Sequence, residues 1–100
     1  MNSLADITDR LRRALEGQPG LERTLKLDLR GDGFVFIDGA EVSNEDRPAD
    51  CTVSVSADDL AALANGLLDP MNALMRGRMR VSGDMSVAVR LQPILSRFRG

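Results

Sequence analysis

Few kinds of side chain able to do chemistry occur in this 100-residue chain: it has no histidine, tyrosine or tryptophan, and one cysteine, Cys51. Without histidine, neither a Ser-His-Asp nor a Cys-His arrangement can be assembled, and the commonest general base near neutral pH is missing. Cys51 falls on the apolar phase of an alternating run, Cys51-Thr52-Val53-Ser54-Val55-Ser56. Nucleophilic or redox use of its thiol would need a neighbouring base or cation to lower the pKa, and its position fits a small buried hydrophobe better. A single cysteine also excludes an internal disulfide. Carboxylates are plentiful, yet each has a structural use. Asp58-Asp59 opens a helix, Glu45-Asp46 lies in a polar loop, and Asp69 and Asp84 precede helices. A metal would require an all-oxygen site, and no EF-hand spacing is present. The chain is therefore expected to be no enzyme, with no catalytic residue, metal or cofactor.

Two groups of residues remain to be explained. Arg76, Arg78 and Arg80 form the one local basic cluster, and alternation places Arg78 and Arg80 on the wet face of a strand. Such a cluster either is a solvated sheet surface or draws the domain to anionic lipid headgroups or a fatty carboxylate. Met71, Met75, Met79 and Met85 lie within a short span, and methionine is over-used where an apolar surface must fit more than one shape. Taken alone, their spacing fits ordinary core packing better than a ligand wall.

Composition narrows the field. With 43% hydrophobic and 28% charged residues, the chain fits one soluble globular domain spanning residues 1–100. Its formal charge of −2, with acids and bases interspersed, leaves no basic field of the kind nucleic acid requires. No apolar run approaches the roughly 18 residues of a membrane span. MNSLADITDRLRR lacks the apolar core of a secretory signal, and Ser96-Arg97-Phe98-Arg99-Gly100 is not a Ser-Lys-Leu-type peroxisomal signal. A cytoplasmic location is expected.

The elements that must position these residues follow from periodicity and punctuation. Ser3, with Asp6 three residues on, is an N-cap, and Leu4, Ile7, Leu11, Ala14 and Leu15 make a helical stripe that Gly17 ends before a turn to Gly20. Leu25, Leu27 and Leu29 alternate with Lys26, Asp28 and Arg30 as a strand; Arg30-Gly31-Asp32-Gly33 is a hairpin connection; and Phe34 to Asp38 is a return strand covered on both faces. Ala40 to Ser43 is a short extended piece, Asn44 to Asp50 a polar loop, and Cys51 to Ser56 a strand. Ser56 with Asp59 starts a helix carrying Leu60, Leu63, Ala64 and Leu67. Asp69-Pro70 starts a short one with Met71, Leu74 and Met75 on one face, ended by Gly77. Arg78 to Ser82 is a strand, Gly83 a turn, and Asp84 caps a last helix bearing Met85, Ala88, Leu91, Leu95 and Phe98. Pro93 inside that helix predicts a kink or restart near Leu91 or Gln92. Clustered strands flanked by helices argue for an α+β sandwich of one mainly antiparallel sheet and a helical layer.

The run GRMRVSGDM, preceded by LLDPMNALMRG and by PADCTVSVSADDLAALANG in the same order, resembles the sterol carrier protein type 2 family. The likeness extends at least from Leu25 to Leu95. It implies a five-stranded sheet covered on one face by about five helices, with an apolar tunnel between the layers. It also implies a lipid-binding module without catalysis of its own.

On that resemblance the tunnel wall is expected from Phe36, with Phe34 an equal candidate, Val53, Val55, Leu63, Met71, Leu74, Met75, Met79, Val81, Met85, Ala88, Leu91 and Leu95. Gln92 matches a glutamine that follows Lys/Arg-Leu in the last helix of relatives, so the resemblance implies a side chain that reaches into the tunnel toward a ligand head; the alternative is a residue exposed on a kinked helix. The expected cargo is one fatty acid, acyl-CoA, phospholipid, sterol-like or prenyl lipid, delivered by a monomer or weak homodimer through transient contact with a membrane surface. The alternative is a dimerising or partner-assisting module with a collapsed core, for example an accessory to a lipid- or quinone-modifying enzyme.

Overall fold

Ser3 caps the first helix as its spacing predicts, its hydroxyl accepting from the Asp6 amide at 3.1 Å. In the computed structural model, which describes residues 3–18 and 20–98 apart from the Phe98 side chain, this helix, α1, spans Leu4–Leu15. It buries Ile7, Thr8, Leu11, Ala14 and Leu15 along one stripe. Pro19, in the expected turn, lies outside the described residues.

Five strands follow the predicted runs: β1 (Thr24–Asp28), β2 (Phe34–Asp38), β3 (Glu41–Ser43), β4 (Cys51–Val55) and β5 (Met79–Gly83). They form one sheet in the order β3-β2-β1-β4-β5. β1 and β4 are parallel and every other neighbouring pair is antiparallel, so the sheet is mixed but mainly antiparallel. The parallel pair arises because the chain after β3 crosses back over the hairpin and enters β4 beside β1. Thr24 and Asp50 hold the entries of both strands level. The Asp50 carboxylate accepts from the Thr24 amide at 2.9 Å and its hydroxyl at 3.1 Å, while the Asp50 amide donates to the Thr24 hydroxyl at 2.9 Å. The Thr24 amide, first, and its hydroxyl hold the Asp50 carboxyl below its ordinary pKa.

Three further helices complete the fold: α2 (Ala57–Ala64), α3 (Pro70–Met75) and α4 (Met85–Phe98). The described helices thus number four rather than about five. Leu25, Leu27 and Leu29 project to the helical side and are fully buried, with Val35, Ile37, Cys51, Val53 and Val55 beside them. α1, α2 and α4 close this core with Leu11, Leu60, Val87 and Leu91 among others. Across the sheet, Val35, Leu27, Val53 and Val81 lie in one row, each opposite the next.

The odd phase of β2 therefore faces the helices, and Phe34 and Phe36 face the other way. There Lys26 lies 5.4 Å from the Phe34 ring and Arg47 5.1 Å from the Phe36 ring, with Lys26 also paired to Asp46 at 2.8 Å. The loop between β3 and β4 thus covers the second face of β2. α4 runs through Pro93 as one helix, without the restart expected. The carbonyl that proline deprives of a partner is that of Val89, a residue 66% exposed, so water can serve it.

Candidate functional site

The sheet is close-packed at its β1–β2 side and open at its β5 side. α2 ends at Ala64, and Gly66 takes a φ of 74° as the chain peels away from the sheet. Asp69 then accepts from the Asn72 amide at 3.1 Å, and with Pro70 in the first turn it starts α3. α3 docks through Ala73, a small residue that is fully buried, rather than through its methionines. Between these segments, the β4–β5 edge and α4 lies a cavity of about 440 Å³. That size falls in the range of small-ligand sites, roughly 300–1,000 Å³.

Val53, Met79 and Val81 from the sheet, Leu63 from α2, Leu74 from α3, and Met85, Ala88, Leu91, Gln92 and Leu95 from α4 line it, all of them expected on the wall. Four expected residues do not reach it. Phe36 lies on the opposite face of the sheet, because β2 directs Val35 and Ile37 inward. Val55 has the inward phase but is wholly buried in the core, with no surface left for a ligand. Met71 and Met75 are 65% and 81% exposed, because α3 turns Ala73 toward the protein and both methionines away from it. Leu67 was expected on the α2 stripe, but the helix stops before it and leaves it exposed. The Phe98 side chain lies outside the described residues.

The sequence reading missed Ala64, Gly66, Pro70, Val89 and Ser96 as lining residues. Ser96 follows Gln92 by one helical turn, and Val89 precedes it by nearly one, so the spacing on α4 held that signal.

The wall carries no ionisable side chain among the described residues, and its only polar side chains are Gln92 and Ser96. The Ser96 hydroxyl already donates to the Pro93 carbonyl at 2.7 Å, which leaves its oxygen free to accept. The Gln92 amide has no protein partner among the described residues, so it can both donate and accept.

Cys51 is buried, and burial, then the charge of Asp84, raises its thiol pKa, so thiolate is disfavoured. Arg78 is engaged with Asp59 through two hydrogen bonds, of 2.7 and 3.2 Å. No group of three or more His, Cys, Asp or Glu side chains is placed to hold a metal among the described residues. No described helix is long and apolar enough to cross a membrane.

Comparison with known proteins agrees with this fold. Residues 1–96 match the model of the SCP-2 sterol transfer family. Sterol carrier protein 2 of Gallus gallus is 36% identical over 78 residues, which cover 77% of this chain but 13% of that protein. The chain thus spans about an eighth of the length of that curated relative. Among solved structures, the solution structure of Aedes aegypti sterol carrier protein-2 in complex with the C16 fatty acid palmitate superposes with a TM-score of 0.68 at 20% identity, covering 96% of this chain and 93% of that one. A ubiquinone synthesis protein, UbiJ-SCP2, gives a TM-score of 0.63 at 25% identity, covering 95% of this chain and 91% of that one.

Proposed function

Because this chain belongs to the SCP-2 sterol transfer family, we propose that it is a non-catalytic cytoplasmic carrier holding one apolar lipid in the cavity between the β4–β5 edge and α4. The observation that carries this reading is the cavity itself, about 440 Å³ and walled by aliphatic and methionine side chains in a domain of only 100 residues. An apolar hollow of that kind leaves its lining short of the contacts a close-packed core makes, and an acyl or prenyl chain would restore them. The palmitate bound by the Aedes aegypti protein supports the same class of cargo.

The ligand contacts we assign are the lining residues Val53, Leu63, Leu74, Met79, Val81, Met85, Ala88, Leu91 and Leu95, with Gln92 and Ser96 meeting the polar end. A hydroxyl head can accept from the Gln92 amide and donate to the Ser96 oxygen, and a carbonyl can accept from Gln92 alone. A carboxylate finds no cation on the wall, so a fatty acid would bind with its head at the mouth. Aliphatic walls discriminate weakly among apolar chains, so the head rather than the tail sets any preference, and sterols hold no privileged place.

A titration of delipidated protein with an environment-sensitive prenyl or fatty-acid probe tests the reading. It should saturate near one probe per chain and be displaced in order by unlabelled fatty alcohols, quinones, sterols and fatty acids. A signal that never saturates would remove the carrier. The second reading, an accessory to a lipid- or quinone-modifying enzyme, draws on the likeness to the ubiquinone synthesis protein. It predicts binding to a partner enzyme with no stoichiometric uptake of free lipid.

A further inference from the structure

A second hollow, of about 210 Å³, lies between α4, the end of α1 and the turn that leads to β1. No described residue lines both it and the larger cavity. The two are on opposite faces of one helix: Arg90, Pro93, Ile94 and Arg97 recur at i, i+3, i+4, i+7 along α4, across from the stripe of Ala88, Leu91, Gln92 and Leu95. α4 is therefore a partition.

The floor of this hollow is apolar, made by the buried side chains of Ala14 and Leu15 from α1, Leu21 from the turn and Ile94 from α4. Its described lining also holds two cations, Arg90 and Arg97, and no acid. Arg90 faces Glu22 at 3.5 Å, but that carboxylate is 82% exposed, so the pair is weak. A guanidinium has five N–H donors, and Arg90 can keep Glu22 while serving a second acceptor. With its amide turned to accept, the Gln18 oxygen receives two hydrogen bonds from Arg97, at 2.6 and 3.1 Å. That partner is neutral, so the charge of Arg97 is left without a carboxylate among the described residues.

These features select a class of ligand. The volume is below the roughly 300 Å³ at which drug-sized sites begin, which excludes a long acyl chain. A neutral apolar molecule would draw two guanidiniums from water with nothing to pair them. A bare inorganic anion would leave the floor wet, and exposed arginines hold a free ion weakly. The C-terminal end of α1 carries the negative end of its helix dipole, so an anionic group belongs at the α4 rim and an apolar body over Leu15 and Leu21.

We infer that this hollow is a second ligand site, one that takes a small monocarboxylate with a compact apolar body, its carboxylate held by Arg90 and Arg97. The planar guanidinium fork matches a carboxylate in geometry as well as charge. The inference stands apart from the carrier reading, since it uses no part of the larger cavity's wall.

The test is an amide-resolved NMR titration of the full chain with phenylacetate at constant ionic strength, and with phenylethanol as its neutral counterpart. Phenylacetate should give saturable shifts clustered around Leu15, Leu21 and Ile94, and phenylethanol should bind there at least about tenfold more weakly. Arg90→Gln/Arg97→Gln should weaken phenylacetate by about tenfold or more, and Arg90→Lys/Arg97→Lys, which keeps the charge and loses the fork, by less. Glu22→Gln, which removes the competing carboxylate, should bind at least as tightly as the native chain. The inference is overturned if phenylacetate does not saturate, if its shifts are confined to Met79, Val81 and Gln92 in the larger cavity, or if phenylethanol binds as tightly. It is also overturned if the double glutamine variant, with the native spectrum otherwise retained, binds as the native chain does. A failed lipid titration would strike the carrier reading and leave these outcomes untouched.

Discussion

The guanidinium of Arg78, at the entry to β5, grips both carboxylate oxygens of Asp59 in the first turn of α2, at 2.7 and 3.2 Å. The fork joins the two elements between which the cavity opens, and the Asp59 side chain is only 15% exposed. Bidentate geometry makes it stronger than an ordinary surface pair. Arg78→Gln should lower unfolding free energy at neutral pH by about 1 kcal/mol in a urea titration. An unchanged midpoint would show that the fork adds nothing to the fold.

The same pair predicts a response to acid. Hydrogen bonds from Arg78 are the largest cause holding the Asp59 carboxyl below its ordinary value of 3.8. A depressed folded-state pKa contributes stability that is complete above the unfolded value and disappears as pH falls through the lower folded value. The loss should therefore begin near pH 3.8 and deepen below it. Asp84, held down first by the Ser86 hydroxyl, and Asp50 add to it in the same direction. Arg78→Gln should flatten part of this slope in stability measured against pH.

Met79 and Met75 separate the cavity wall from the outer surface of α3. Met79 is half-buried on the cavity side of β5, opposite Val55, whereas Met75 points into solvent. Met79→Trp should fill part of the cavity and weaken a long-chain probe by about tenfold, with little effect on the thermal transition of the lipid-free chain. Met75→Trp should leave the probe Kd within about twofold. Equal affinities for the two variants would remove Met79 from the wall.

Gly83 tests the closeness of β5 to β4. Its φ is 98°, and a Cβ there would collide with the Asp50 carbonyl, the group that accepts from the Asp84 amide at 2.9 Å. Gly83→Ala should cost about 2 kcal/mol or more. Gly31 has a φ of 102° with open space around it, so Gly31→Ala carries conformational strain alone and should cost about 1 kcal/mol. Matching losses would mean that the close approach has no energetic weight.

For Cys51, burial and a raised thiol pKa predict silence toward a disulfide reagent in the native state. Reaction should be slower than in denaturant by roughly two orders of magnitude. Rapid native labelling would show that β4 opens readily.

The sequence made most elements legible because capping residues and periodicity agreed: Ser3, Ser56 and Asp69 each cap the helix they precede. The parallel β1–β4 pair was less legible, since the long-range pairing of two alternating strands leaves no local mark. Phe36 misled because a strand apolar on both phases does not declare its inner face, and here Arg47 and Lys26 supply cover on the outer one. Met71 and Met75 misled for another reason. A helical stripe predicts a buried face when the helix is packed on its neighbours, but this short helix is anchored by Ala73, keeps only Leu74 of its stripe at the cavity and turns both methionines outward. On α4, where one face spans core and cavity, the expected wall residues Ala88, Leu91, Gln92 and Leu95 came together.

The uneven packing of the sheet separates durability from selectivity. Leu25, Leu27, Val35 and Ile37 sit where every neighbour is already in contact, so a change of one methyl group there is felt by the whole domain. Met79, Val81 and Leu74 border the cavity instead, and their size can vary with little disturbance to the close-packed half. On the proposed carrier reading, a scaffold divided in this way can exchange one cargo for another by drift along β5 and α3, while the half that keeps it folded stands still.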